Sequence, residues 1–150
     1  MDVDIVTEID IARPRAVVAE YASNLDNTTE WYTNIESVDW KSPKPLRVGS
    51  QVAFVARFLG RRLAYTYAVR DWVPKERLVM STADGPFPME TTYEWHDSPS
   101  GGTTMVLRNR GTPAGFSNVA APVMVGAMRR ANRKDLMRLR GILEALDLAR

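Results

Sequence analysis

Four polar side chains fall where an apolar chamber would need them for chemistry. Tyr65 and Tyr67 take alternate places in an apolar strand pattern, and Asn109 lies in the last such pattern. Asp135 falls inside an apolar helical stripe bounded by Met128, Leu139 and Ile142. Hydroxyl, amide and carboxyl groups aimed into such a chamber can polarise a carbonyl or move a proton. An ionised carboxylate buried without a partner is costly. Asp135 is therefore expected at the edge of the stripe near water, paired with an arginine, or functionally perturbed.

Other chemistries lack their residues. The chain has no cysteine and one histidine, His96, which removes disulfides, thiolate ligands and cysteine nucleophiles. His96 lies on the alternate face from Tyr93 and Trp95, just ahead of the polar stretch Asp97 to Gly102, and is expected in solvent. No metal site and no cofactor are expected. Arg108 and Arg110 alternate with Met105 and Leu107 and read as outer-face charges.

These groups need a scaffold, and the patterning supplies one. With 150 residues, 45% hydrophobic and 25% charged, the chain is expected to form one domain over residues 1–150. The longest apolar run, Val119 to Val125, is broken by Pro122 and is far short of the roughly 20 residues that span a bilayer. Met1-Asp2-Val3-Asp4 carries acid where a secretory signal carries base, so a cytoplasmic location is expected.

Val3, Ile5, Ile9 and Ile11 alternate with acidic residues as a strand with one wet face. Pro14 then opens a short helix over Ala16 to Ala22, and a further helical turn follows at Thr28 to Trp31. Six more strands are expected at Ile35 to Trp40, Gln51 to Leu59, Arg62 to Val73, Arg77 to Ala83, Met89 to His96 and Thr103 to Arg110. Short turns such as Gly60-Arg61 and Asp84-Gly85-Pro86 separate them, so the pairing is antiparallel. A long helix from about Ala114 to Leu148 closes the chain, its stripe formed by Val119, Val123, Met124, Met128, Ala131, Leu139, Ile142, Leu143 and Leu146. Pro122 and Gly126 predict a kink or a late start. The fold class is α+β, a curved seven-stranded antiparallel sheet around a long C-terminal helix.

One helix is too narrow to fill the concavity of so wide a sheet. Phe54, Phe58, Tyr65, Tyr67, Met89, Tyr93, Trp95 and Met105 point inward from the strands, facing Met124 and Met128 on the helix. Each can serve as core packing, and together they can line an adaptable pocket for an apolar small molecule. Gly85-Pro86-Phe87-Pro88 and Gly111 to Phe116 are candidate lips of its opening.

The order of elements resembles the helix-grip superfamily of START-related lipid-transfer and polyketide cyclase/dehydratase-like proteins (SRPBCC) over nearly the whole chain. Its carriers are Ile11-Ala12-Arg13-Pro14 leading to Val17 and Tyr21, then Asn24-Leu25-Asp26-Asn27 before Glu30-Trp31. Val73-Pro74-Lys75-Glu76-Arg77-Leu78 and Gly101-Gly102-Thr103 follow in the family's order. The resemblance implies a hydrophobic cavity, and the leading expectation is binding or carriage of a lipid, isoprenoid or polyketide there, with a cyclase/dehydratase-like enzyme, or an interaction module using the basic face of the terminal helix, as alternatives.

Twenty basic and 18 acidic residues give a net charge of only +2. Arg129, Arg130, Arg133, Lys134 and Arg140 nevertheless concentrate on the helix face opposite the stripe, a solvated face or a contact for an anionic membrane surface or acidic partner. No nucleic-acid motif accompanies them. Binding through that face predicts an affinity that falls steeply with salt in a titration between low and high ionic strength, and a flat response contradicts it.

Overall fold

The computed structural model describes residues 2–112 and 121–146. Alternating strands and turn chemistry produce seven strands: β1 (Val3–Ile11), β2 (Ile35–Trp40), β3 (Gln51–Phe58), β4 (Arg61–Val73), β5 (Arg77–Asp84), β6 (Met89–Asp97) and β7 (Thr103–Gly111). They form one antiparallel sheet in the order β1-β7-β6-β5-β4-β3-β2, so the first strand closes beside the last. Helix α1 (Arg15–Ser23), a 3-10 turn (Leu25–Asn27) and α2 (Thr28–Trp31) bridge β1 to β2, and α3 (Ala121–Glu144) ends the described chain. This is the helix-grip α+β arrangement that the sequence implies.

Register shifts bend the sheet. Val69 pairs with Met80 and Asp71 with Val79, so Arg70 bulges out of the β4–β5 ladder. The bulge turns the alternation over and brings Trp72 opposite the buried Leu78. A bulged strand twists more strongly, and a second shift at Thr66/Tyr67 adds to the bend.

On α3, Met124, Leu136, Leu139 and Leu143 are fully buried against the sheet and α2. Burying each such side chain contributes about 1.5–3 kcal/mol. Two residues expected in the stripe lie outside it: Val123 is 59% exposed and Leu146 is 40% exposed. Asn132 and Leu136 take the inward positions between Met128 and Leu139, as the 3.6-residue period requires. The described helix runs through both Pro122 and Gly126. The expected helical residues 114–120, 147 and 148 lie outside the described residues, as does most of the second candidate lip.

Arg13 ties the far end of α3 to β1. Its Nε donates to the carbonyl of Leu143 at 3.0 Å, and its Nη2 donates to those of Glu144 at 2.6 Å and Leu146 at 3.0 Å. The Ala12 N–H donates to Glu144 Oε2 at 2.8 Å. A guanidinium on the last carbonyls of a helix satisfies orphan acceptors and opposes the negative end of the helix dipole.

Replacing Arg13 with alanine is expected to destabilise the protein by about 1.5–3 kcal/mol, with lysine recovering only part, because an ammonium lacks the fork that spans several carbonyls. Thermal melting of the three proteins checks this; an unchanged midpoint for Arg13→Ala contradicts it.

Candidate functional site

The inner face of the sheet does not meet α3 along its whole length. At the end where β3 turns into β4, a partly open cavity of about 160 Å³ remains between them. Its sheet wall is Ala56, Phe58, Leu63, Tyr65, Tyr67, Thr82, Met89 and Asn109, and its helix wall is Met124, Met128, Ala131, Asn132 and Asp135. Tyr32, Asn34 and Ile35 close one side, Pro86 and Phe87 the other, and the exposed Arg57 and Pro86 stand at the rim. A second cavity of about 90 Å³ lies deeper, lined by Thr28, Phe54, Met80, Thr91 and Tyr93. Tyr32, Ile35, Tyr65, Tyr67 and Asn109 border both.

The loop 85–88 is held over the cavity by close packing. Thr82 Oγ1 accepts from the Met89 N–H at 2.8 Å and donates to the Met89 carbonyl at 3.0 Å, which clasps the two strands around it. Any Cβ at Gly85 would stand 2.9 Å from the Tyr65 Cβ, and one at Gly111 would stand 2.3 Å from the Pro88 carbonyl oxygen. Both glycines therefore let the loop approach the wall, and Phe87 packs against the cluster of Val3, Ile5, Leu63 and Met124.

All four candidate reactive residues, Tyr65, Tyr67, Asn109 and Asp135, meet at this cavity. Of the expected ligand contacts, Phe58, Tyr65, Tyr67, Met89, Met124 and Met128 line it, while Phe54 and Tyr93 line the deeper one. Trp95 and Met105 reach neither. They pair across β6 and β7 at the opposite end of the sheet, where α1 packs on β6, and both are fully buried. Strand alternation selects the face but not the position along it.

Asp135 is only 2% exposed, so it does not lie at the edge near water, and it forms no ion pair with arginine among the described residues. Its Oδ1 accepts from the Thr33 N–H at 3.0 Å and the Thr33 hydroxyl at 3.1 Å. Burial pushes its carboxyl up to about 6, against the lowering effect of those two bonds and of Lys134 and Arg138. Burial also raises the phenols: Tyr67 to about 12, and Tyr32, Tyr65 and Tyr93 upward as well. The tyrosines act as neutral donors and acceptors, whereas Asp135 can exchange a proton near neutral pH.

A hydrogen-bonded relay crosses the sheet wall. Thr91 Oγ1 donates to Asn109 Oδ1 at 2.8 Å, so the Tyr67 hydroxyl is the donor in its 2.9 Å contact with Thr91. The Asn109 amide nitrogen is left without a partner among the described residues. Tyr32 and Tyr93 share a 2.7 Å hydroxyl–hydroxyl bond that braces the deeper cavity. Tyr32 and Asn132 are cavity residues that sequence patterning passed over, although Asn132 carries the same signal as Asp135, a polar residue in the apolar phase of α3.

Outside the cavity, His96 is exposed and contacts Glu94 at 3.2 Å, and Arg108 and Arg110 pair on the outer face with Asp4 and Glu90. Arg129, Arg130 and Lys134 are exposed, while Arg133 and Arg140 share a surface groove with Glu8 and Asp10 of β1. Among the described residues, no group of three His, Cys, Asp or Glu side chains is placed to hold a metal ion, and no helix is long and apolar enough to cross a membrane.

A family model described as polyketide cyclase / dehydrase and lipid transport matches residues 2–144. Among solved structures, a Thermus thermophilus protein is similar at 18% identity and a TM-score of 0.81, covering 95% of this chain and 98% of its own. A START superfamily protein from Mycobacterium smegmatis gives 12% identity and a TM-score of 0.81, covering 96% and 99%. The Zhui aromatase/cyclase from Streptomyces gives 15% and 0.76, covering 96% and 94%. At these identities the likeness shows the fold. No curated protein matches the chain.

The raised carboxyl of Asp135 has a consequence for stability. Its folded-state value of about 6 exceeds the ordinary 3.8, so the native protein holds this proton longer than the unfolded chain does. Its contribution to stability therefore falls as pH rises from about 4 to about 6, reaching a cost of about 3 kcal/mol above that window. Asp135→Asn keeps an acceptor for Thr33 without the charge. Denaturant unfolding is expected to show the variant more stable than the parent at pH 8, with the gap closing by pH 4; a gap independent of pH contradicts this.

Proposed function

Because this chain belongs to the polyketide cyclase / dehydrase and lipid transport family, we propose that it binds a compact apolar molecule between its sheet and α3. The observation that carries this reading is the cavity of about 160 Å³ whose walls are aromatic rings, methionines and small aliphatics, interrupted by a few polar groups. Apolar walls with sparse, well-placed polar groups are the common form of a small-molecule site. Thioethers adapt to the shape of what they enclose.

Size narrows the ligand. A cavity of about 150 Å³ admits a benzene ring, whereas pockets that enclose drug-sized molecules measure about 300–1,000 Å³. The occupant is a single ring or short branched chain, or the ring end of a longer lipid, isoprenoid or polyketide that leaves past Arg57 and Pro86. Tyr65 stacks on Phe54 with centroids 5.6 Å apart and meets Tyr67 at 4.9 Å, which presents an aromatic wall to such a ring.

One observation favours a second reading, a cyclase/dehydratase-like enzyme. Asp135 combines burial at the cavity with a carboxyl near 6, the range in which a group serves as both base and acid. Binding comes first in either case.

Titration of isotopically labelled protein with toluene, followed by NMR, is expected to give saturable shifts at residues of both walls. Ala131→Phe, which fills the cavity from α3, is expected to weaken that binding at least tenfold while unfolding stays cooperative. Absence of saturable binding by the parent protein contradicts the reading, and unchanged affinity in the variant contradicts the location.

A further inference from the structure

Building on the reading of a compact apolar ligand, we propose that the α3 wall of the cavity recognises a hydroxyl group on that ligand, with Asn132 donating to its oxygen and Asp135 accepting its proton in a hydrogen bond. Two polar groups on this wall lack partners. Asn132 is 7% exposed, and its Nδ2 is buried without a hydrogen bond. Asp135 spends Oδ1 on both bonds from Thr33, and its Oδ2 accepts from no described residue. Both side chains line the cavity. A buried donor left unsatisfied is costly, and native structures keep few of them.

The spacing suits one small group. Residues three apart on a helix are neighbours on one face, with Cβ atoms about 5–6 Å apart. An atom lying between them can reach both side chains at ordinary hydrogen-bond lengths of about 2.7–3.0 Å. A hydroxyl donates one proton and accepts on its oxygen, so it satisfies both groups at once. A carbonyl would leave Asp135 without a donor. An ammonium would leave Asn132 without an acceptor, and Lys134 and Arg138 already place positive charge near Asp135.

The test uses three probes of nearly equal size, p-cresol, toluene and benzylamine, titrated into the full chain at pH 7.5 and followed by NMR. The expected result is p-cresol binding at least tenfold more tightly than toluene or benzylamine. Asn132→Leu and Asp135→Asn are each expected to cut the ratio of p-cresol to toluene affinity at least fivefold. Asp135→Asn retains the contact with Thr33, and thermal melting verifies that each variant is folded.

Toluene binding as tightly as p-cresol would overturn the hydroxyl assignment and leave the apolar site standing. Benzylamine binding most tightly would overturn it in favour of a cation site. A p-cresol preference that survives in both variants would show that other residues read the hydroxyl. Failure of all three probes to bind would remove the apolar site and the assignment together.

Discussion

The width of the sheet against the width of the helix is the constraint from which the rest follows. Seven strands at a spacing of about 4.8 Å make a surface roughly 30 Å across, while a helix with its side chains covers about 10–12 Å. Even a bent sheet leaves inner surface that α3 cannot reach. At one end α1 and α2 supply the missing cover, and Trp31, Tyr93 and Trp95 pack there without solvent. At the other end no second helix arrives among the described residues, and a cavity remains. The tie between Arg13 and the carbonyls at the end of α3 fastens that end of the helix beside β1.

Electrostatics make that gap more than a packing remainder. An apolar void needs no carboxyl, yet Asp135 projects toward it from the buried side of α3 and is held by Thr33 from the α2–β2 connection. The same contact links the helix to the segment that closes one side of the cavity, so the group that costs stability when ionised also fixes that segment against α3. The relay from Tyr67 through Thr91 to Asn109 performs the matching task on the sheet side, fixing rings and amide in one orientation. A ligand entering such a site meets polar groups whose positions are already decided, which lowers the ordering cost of binding.

Much of this was legible in the sequence because strand alternation and turn residues agree at nearly every boundary. The strands fall within a residue or two of their expected limits, since Gly60, Pro74, Gly85 and Gly101 mark turns whose geometry is local. Asp135 was readable as an inward polar residue from helical phase alone. Its partner was not, because Thr33 lies 102 residues away and only the packing of α2 against α3 brings them together. The bulge at Arg70 and the assignment of Trp95 and Met105 to the closed end of the sheet escaped for the same reason. Alternation reports which face a side chain takes, whereas the cover over that face depends on elements distant in the chain. Arg13 stood inside a recognisable motif, but its role at the end of α3 is a tertiary fact.

An apolar cavity, and not a collapsed core, separates α3 from β3–β7. A crystal structure of the protein under xenon pressure tests it most directly, because xenon enters apolar cavities of this size without demanding specific contacts. A xenon peak is expected between Tyr65 and Met89 on the sheet and Met124 and Met128 on the helix. Side chains closed over that space, with no xenon between them, would contradict it.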